Sequence, residues 1–272
     1  MDKDRSPSGD KAGLPTGPVS SRSSFANKKV RIDLLMVERG LVCSRHKAQA
    51  LVMSGRVAVE GRRVEKAGAT VPAKASITIQ QDNPYVSRGG IKLAAALDAF
   101  KIDPTGMTAM DIGSSTGGFT DCLLKHGAAG VIAVDVGYGQ LDWSLRQDPR
   151  VRLLEKTNIR YLESEAVVRE PVDIVVIDVS FISLKLVFPK ILEFLSSTGK
   201  LIALVKPQFE VGKGEVGKGG VVRDPKKHEM VIDSIREFAE SLGLLSRGII
   251  CSPISGAKGN IEFLIYFTRK TI

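Results

Sequence analysis

The chain has 272 residues, of which 43% are hydrophobic and 25% are charged, and its formal net charge is +9. This composition is typical of a globular protein with one sizeable core, or with one core and a small additional domain. No apolar run approaches the roughly 18 residues that a membrane span requires, and the first 30 residues lack the apolar segment of a secretory signal.

The spacing of the cysteines and the distribution of charge indicate the compartment and the kind of binding partner. Cys43, Cys122 and Cys251 show neither metal-ligand nor disulfide-framework spacing, so we predict no metal site and a reducing, cytoplasmic location. The lack of an apolar span predicts no membrane association. Residues 1–90 carry 16 basic and 8 acidic side chains, whereas residues 91–272 carry 23 and 22. This asymmetry predicts an N-terminal part that binds a polyanion, although a basic solubilising surface would give the same pattern.

The N-terminal third predicts a tail and a small folded unit. Residues 1–28 are rich in Ser, Gly, Pro and charged residues, which predicts a disordered tail. Residues 29–83 then predict two short helices followed by a small antiparallel sheet. The predicted features are an apolar helical face at Ile32, Leu35 and Met36 that stops at Gly40, an N-cap at Ser44, a second helix over Lys47–Met53 that stops at Gly55, and strands at Val57–Val59, at Val64 and over Ser76–Ile79.

This unit resembles the S4 RNA-binding domain. The resemblance rests on R-I-D at 31–33, S-R-H-K-A at 44–48 and S-G-R-V-A-V-E-G at 54–61. Arginine and lysine at a helix N-terminus form a good phosphate site, because the exposed N–H groups and the helix dipole also attract anions. With one further arginine at the start of the second part, the candidate RNA-binding residues are Arg31, Arg45, His46, Lys47, Arg56 and Arg88.

Asp82-Asn83-Pro84 predicts a domain boundary, and residues 84–272 alternate strands with helices. Such alternation is typical of an α/β fold with a doubly wound, mostly parallel, Rossmann-like sheet. The predicted strands are Thr108–Ile112, Gly130–Val134, Val151–Leu154, Ile174–Ile177, Lys200–Val205, Gly248–Cys251 and Glu262–Thr268, and the predicted helices are Gly118–Lys125, Leu184–Leu195 and Lys227–Leu242.

The first strand of this sheet runs into D-I-G-S-S-T-G-G-F-T at 111–120, which predicts a ligand site. The spacing matches neither the G-x-G-x-x-G turn nor a P-loop, and an acidic residue before the first glycine suits a cationic ammonium group. Asp135, 24 residues after Asp111, can accept hydrogen bonds from ribose hydroxyls. Taken alone, Asp135 would be interpreted as a turn residue at the end of a strand. Together these features predict S-adenosylmethionine. The candidate cofactor-binding residues are Asp111, Gly113, Ser114, Ser115, Thr116, Gly117, Gly118, Phe119, Asp135, Asn158 and Asp178.

Four charged residues stand beside apolar elements: Lys92, Asp178, Lys206 and Glu262. Buried charges are either paired or functional, so a structural network of ion pairs would explain them as well. However, S-R-G-G-I-K-L, D-V-S-F-I-S and V-K-P-Q-F-E-V-G resemble FtsJ-like ribose 2′-O-methyltransferases, whose Lys-Asp-Lys-Glu tetrad falls on these four positions. With the S4-like unit in front, the chain resembles the TlyA (haemolysin A) family.

The resemblance implies 2′-O-methylation of ribose in ribosomal RNA, at cytidine, with ribosomal RNA or ribosomal subunits as partners. Lys206 would be either a base or a positioning charge. The stretch 212–220, rich in glycine and lysine, predicts either a loop that closes over RNA or a solvated loop. Two other functions stay open: a non-catalytic RNA-binding assembly factor and a haemolysin.

Overall fold

A computed structural model describes residues 29–79, 83–164, 170–212 and 214–270 of the chain, so the predicted tail at 1–28 lies outside the described residues. The chain divides into two compact units, residues 1–82 and residues 83–272. In neither unit does a described helix combine the length and the apolar character needed to cross a membrane.

The N-terminal unit packs two helices against short antiparallel strands. Ser44 caps the second helix by accepting a hydrogen bond from the N–H of Lys47, as its position in the sequence predicts. The apolar faces of both helices form one core with the strands, centred on Ile32, Met36 and Val52. In chain order the elements are β1 (Lys29–Arg31), α1 (Ile32–Glu38), α2 (Arg45–Met53), β2 (Val57–Val59), β3 (Arg62–Arg63), β4 (Thr70–Pro72) and β5 (Ile77–Ile79), with β1 paired to β4 and the order β3-β2-β5 in the other sheet.

The second unit is built on a seven-stranded sheet, which confirms the α/β, mostly parallel fold. Strand order is β11-β12-β10-β9-β6-β7-β8, and β12 runs in the direction opposite to that of the other six strands. The strands are β6 (Thr108–Ile112), β7 (Gly130–Val134), β8 (Val151–Leu154), β9 (Val172–Ile177), β10 (Leu195–Val205), β11 (Leu244–Cys251) and β12 (Phe263–Arg269), and the helices are α3 (Gly89–Phe100), α4 (Gly118–Lys125), α5 (Trp143–Arg146), α6 (Phe188–Ile191), α7 (Pro207–Glu210) and α8 (Pro225–Ser241).

Helices cover both faces of this sheet. Successive strand residues point to opposite faces, so Met110 and Ile112 join the core that includes α6 and α8, while Ala109 joins the core under α3 and α4. Both faces of the central strands are therefore buried, as the apolar runs in the sequence predict.

Two helical segments differ from the sequence expectation. The predicted helix over Leu184–Leu195 is wrong, because this segment forms a 3-10 turn at Leu184–Leu186, the short helix α6, and then the start of β10. Pro189 lies in the first turn of α6, where its missing N–H is tolerated, and a proline there cannot continue a preceding helix. Helix α3, in contrast, was not predicted, since Gly89 and Gly90 at its start lower helix propensity.

The topology gathers several chain segments at one edge of the sheet. The strands β6, β9 and β10 are adjacent and parallel, so their carboxyl ends meet there. From β6 the chain continues on one side through β7 and β8, and it then crosses to the other side of β6 to form β9 and β10. Open α/β sheets bind ligands at such a switch point. Because β12 is antiparallel, its first residue, Phe263, pairs with Val205 at the end of β10 and brings Glu262 to the same edge.

Candidate active site

A cavity of about 380 Å³ opens at this edge of the sheet. Its walls include all four predicted catalytic residues, which reach it from helix α3, from the ends of β9 and β10 and from the start of β12. The chain positions of these residues span 170 residues, yet the fold places their side chains around one space. The four residues are Lys92, Asp178, Lys206 and Glu262.

The four charges are arranged as two ion pairs. The Nζ of Lys92 is paired with Oε2 of Glu262, and both side chains are almost fully buried. The Nζ of Lys206 lies 2.6 Å from Oδ1 of Asp178 and donates a hydrogen bond to Oγ of Ser180 at 2.8 Å. Each buried charge therefore has an opposite charge beside it, which offsets the cost of removing it from water.

Sequence reasoning missed two residues that shape the surroundings of Glu262, Gly256 and Asn260. A Cβ atom at Gly256 would lie 1.9 Å from Oε1 of Glu262, so only glycine leaves room for that carboxylate. The amide of Asn260, itself 2% exposed, donates to the carbonyls of Gly220 and Ala257 and accepts from the N–H of Val222. The only signal in the sequence was the string G-N-I-E, in which just the glutamate bears a charge.

The glycine-rich turn brings backbones together on one side of this cavity. Gly113 has a φ of +84°, and a Cβ there would lie 2.6 Å from the carbonyl oxygen of Asp178. A Cβ at Gly118 would lie 2.9 Å from the backbone N of Gly90, so helices α3 and α4 approach closely at their N-termini. This close approach sets the position of Lys92, which lies one turn further along α3.

A second cavity of about 450 Å³ shares Gly113, Asp178 and Phe181 with the first. The carboxylate of Asp135 lines it and accepts from the N–H groups of Ser115 at 2.8 Å and Gly137 at 2.6 Å. Asn158 also lines it, and its side chain accepts from the N–H of Arg160. The remaining walls are mainly apolar, which suits a planar ring beside a ribose. They include Ile112, Val134, Val136, Ile159, Val179 and Ile182.

Asp111 and Gly117, in contrast, line neither cavity. Strand alternation turns Asp111 toward α4, where the hydroxyl of Thr120 donates to its Oδ2 at 2.7 Å. Complete burial raises the pKa of Asp111 to about 7, and the hydrogen bond from Thr120 partly opposes that shift. The structure therefore gives Asp111 a place beneath the turn, whereas Ser114, Ser115, Thr116 and Phe119 form the wall itself.

Two buried side-chain oxygens that line the first cavity have neither a hydrogen-bond partner nor an ion-pair partner among the described residues, unlike Oδ1 of Asp178, which lies beside Lys206. They are Oγ of Ser114 and Oε1 of Gln208. A buried polar atom without a partner costs about 1–3 kcal/mol, so both atoms are suited to a polar ligand. The residues that the structure describes also contain no cluster of three or more histidine, cysteine, aspartate or glutamate side chains that could hold a metal ion.

The candidate RNA-binding residues are divided between the two units. In the N-terminal unit, the buried carboxylate of Asp33 accepts from Arg31, Arg45 and Gln49 at 2.9–3.0 Å. These hydrogen bonds, above all that from Arg31, hold the pKa of Asp33 well below its usual range. His46 and Lys47 are exposed on α2, Arg56 is half-buried before β2, and Arg88 lines the first cavity of the other unit.

Comparison with known proteins gives consistent matches to both units. A family model described as FtsJ-like methyltransferase matches residues 85–269, and a model of the S4 domain matches residues 30–77. The 16S/23S rRNA (cytidine-2′-O)-methyltransferase TlyA of Mycobacterium tuberculosis is 45% identical over 90% of this chain and 91% of its own length. Hemolysin A of Brachyspira hyodysenteriae is 40% identical over 88% of this chain and 99% of its own.

A solved structure from Streptococcus thermophilus, named as a candidate hemolysin, has the same architecture. It is 42% identical, with a TM-score of 0.70, and the match covers 91% of this chain and 90% of that one. The matches therefore extend over both units and not over the methyltransferase-like part alone.

Proposed function

The chain belongs to the FtsJ-like methyltransferase family, with an S4 domain before the methyltransferase domain, and on that premise we propose that it methylates ribose 2′-oxygens of ribosomal RNA with S-adenosylmethionine. One observation carries the proposal: two lysine–carboxylate pairs, one of them almost fully buried, face one cavity, which adjoins a second cavity lined by an acidic residue. The relatives named as rRNA (cytidine-2′-O)-methyltransferases support ribosomal RNA as the substrate and cytidine as the target.

The residues present fit S-adenosylmethionine. Asp135 and Asn158, in the cavity with mainly apolar walls, would hold the adenosine part. Gly113 and the polar wall of the first cavity, where Ser114 has an unpartnered hydroxyl, would hold the amino-acid part. Asp111 would act from beneath by fixing Thr120 and with it the start of α4. When bound, this cofactor supplies a methyl group on a positively charged sulfur.

Lys206 is the residue that we assign to the substrate oxygen. An ammonium group has three N–H donors, and the hydrogen bond to Ser180 uses one of them, so another can reach the 2′-oxygen of a ribose while Asp178 stays paired with Lys206 by charge. Asp178 holds Lys206 in place, and Glu262 does the same for Lys92 on the opposite side of the cavity. Correct alignment of the reacting atoms supplies much of the rate acceleration in such a transfer.

The substrate side of the cavity has features suited to RNA. Phe181, 90% exposed, lies 5.0 Å from Phe209 between ring centroids, and both rings line the cavity, where a nucleobase can stack on them. Arg88 lines the same cavity and offers a charge for a phosphate. Only RNA carries the 2′-hydroxyl that the reaction needs. We further propose the cytoplasm as the place of action, since ribosomal RNA is modified there.

The test is transfer of a tritium-labelled methyl group from S-adenosylmethionine to ribosomal RNA and to ribosomal subunits. Mass spectrometry then maps any added 2′-O-methyl group to its nucleotide. We expect label on a cytidine ribose, and label on a base would contradict the proposed chemistry. Binding of ribosomal RNA without any transfer would favour an assembly factor, and lysis of liposomes by the pure protein would favour a hemolysin.

A further inference from the structure

In the part of the chain that the structure describes, the exposed aromatic side chains all lie in the methyltransferase domain. Among the described residues four aromatic rings are exposed: Tyr138 at 70%, Trp143 at 73%, Tyr161 at 75% and Phe181 at 90%. All four follow the carboxyl ends of sheet strands, at the edge that carries both cavities. Single exposed apolar residues need no explanation, but this grouping marks an interaction surface.

Three of these rings lie outside the cavities. Phe181 lines both cavities, whereas Tyr138, Trp143 and Tyr161 line neither. Their close neighbours in the chain, including Val136 and Ile159, do line the second cavity. The three rings therefore belong to the rim around the proposed cofactor site and not to its walls. We call Tyr138, Trp143 and Tyr161 the aromatic rim.

The loops that carry the aromatic rim are tied to one another. The carboxylate of Glu155 accepts from the N–H of Gly139, in the loop of Tyr138, and pairs with Arg146 on α5, the helix that Trp143 begins. The N–H of Lys156 donates to the carbonyl of Gly137 at 2.9 Å. The rings are thus presented from a connected backbone, which lowers the entropy lost when a ligand binds them.

Cations accompany two of the rings. The Nζ of Lys156 lies 4.4 Å from the ring centroid of Tyr138, and the guanidinium of Arg160 lies 5.1 Å from that of Tyr161. Three of the nearby carboxylates are engaged: Glu155 with Arg146, Asp142 with the N–H of Ser144, and Asp135 with two backbone N–H groups. Rings that stack on bases, placed beside cations that attract phosphates, form the combination that binds single-stranded nucleic acid.

We propose that the aromatic rim binds single-stranded RNA that flanks the methylated nucleotide, by stacking of its bases on Tyr138, Trp143 and Tyr161. The inference rests on the proposed function, because it assigns RNA as the partner of this surface. It gives the methyltransferase domain an RNA contact of its own, in addition to those of the S4 domain. A duplex offers no free base faces, so the rim prefers single strands over double-stranded RNA of equal length.

The sequence supplies a direct reporter, because Trp143 is the only tryptophan of the chain. Titration of the full-length protein with a 12-nucleotide oligocytidylate should quench the tryptophan fluorescence, with the same midpoint as binding measured by fluorescence anisotropy of a labelled oligonucleotide. An emission unchanged at RNA concentrations that saturate binding would overturn the proposal. That outcome would leave the rim to a different class of partner, such as a ribosomal protein.

Variants separate stacking from electrostatic attraction. Tyr138→Ala and Tyr161→Ala should each weaken binding of the oligonucleotide roughly 5- to 150-fold, while the slope of log affinity against log salt stays unchanged. Lys156→Gln should reduce that slope by about 0.7. Met230→Ala is the control, since Met230 is exposed to a similar degree but lies on α8 and lines neither cavity. Wild-type affinity in both tyrosine variants would refute the stacking role.

The outcomes also distinguish this inference from the proposed function. Affinity for S-adenosylmethionine, measured by calorimetry, should be the same in the tyrosine variants and the wild type, because the rim does not line the cofactor cavity. If the wild type methylates ribosomal RNA while the variants bind RNA as it does, the rim assignment alone fails. If the wild type transfers no methyl group, the proposed function fails, whether or not Trp143 is quenched.

Discussion

Lys206 and Asp178 directly follow neighbouring parallel strands, and their charged atoms lie 2.6 Å apart in the first cavity. The register of the sheet produces this pair, since Ala203 is aligned with Ile177 and the two charged residues follow within three positions. The same pair, together with the hydrogen bond to Ser180, holds the ammonium group of Lys206 at the cavity. The alignment of the two strands therefore places the lysine that we assign to the 2′-oxygen beside its carboxylate partner.

Lys206→Ala tests this assignment. We expect methyl transfer to fall at least 100-fold, because the alanine can neither orient the 2′-oxygen nor assist removal of its proton. Affinity for S-adenosylmethionine should change little, since the proposed adenosine residues lie in the other cavity. Single-turnover transfer and calorimetry measure the two quantities. Lys190→Ala, at a lysine paired with Glu193 away from both cavities, is the control, and turnover retained in Lys206→Ala would refute the assignment.

Gly256→Ala tests the placement of Glu262. The added Cβ would lie 1.9 Å from Oε1, so the carboxylate has to move and its pair with Lys92 is broken. We expect transfer to fall by about 10- to 100-fold and thermal stability to fall as well, because breaking a buried ion pair leaves each charge without its partner. Transfer assays and thermal unfolding of the same preparation measure the rate and the stability. An unaffected rate would mean that the pair between Lys92 and Glu262 is structural only.

Asp111→Asn should show a pH-dependent gain in stability. Burial raises the folded-state pKa of Asp111 to about 7, so its favourable contribution is complete at low pH and is lost as the pH rises through 7. Asparagine does not titrate and avoids that loss, which amounts to a few kcal/mol. The difference in melting temperature, variant minus wild type, should therefore be more positive at pH 8 than at pH 5.

The control for this experiment is Asp103→Asn. Hydrogen bonds from Thr105 lower the pKa of Asp103, which is exposed, so its substitution should not produce a gain that grows with pH. If the difference in melting temperature for Asp111→Asn is the same at pH 5 and pH 8, burial does not raise the pKa of Asp111 in the folded protein.

Asp33→Asn should weaken the S4 domain and its RNA binding together. The carboxylate joins Arg31, Arg45 and Gln49, and its removal leaves two guanidinium groups without their shared partner. We expect a loss of about 2 kcal/mol in unfolding free energy, because the carboxylate is buried while the arginines remain partly solvated. Denaturant unfolding and RNA binding measure the effects. Asp98→Asn, in an exposed pair with Lys101, should cost under about 1 kcal/mol.

The sequence predicted most of what depends on local pattern. Apolar runs located the parallel strands, and residues that follow parallel strands share one edge, so Asp178 and Lys206 could be placed near the glycine-rich turn. Lys92 and Glu262 also stand out beside apolar elements, but only the resemblance to a methyltransferase family connected them with that site. Glycines 113 and 118 were recognisable from their context, although the backbones that approach them were not.

Longer-range contacts were not accessible in this way. Asn260 looks like any loop asparagine in the sequence, and its role appears only when its three hydrogen bonds are traced to the segments around Gly220 and Ala257. Helix α3 forms despite two glycines, because Gly90 packs against Tyr85 where a side chain would not fit. Tertiary packing there outweighs local propensity.

The reversed direction of β12 has a consequence for how this architecture tolerates changes in length. Asp178 and Lys206 come after their strands, so a residue inserted into β9 or β10 would shift them relative to the cavity. Glu262 comes before its strand, and its distance from the cavity is set by the first pair of the β10–β12 ladder. Additions toward the far end of β12 would leave Glu262 in place, so that end is the safer point for attaching a tag or a second domain.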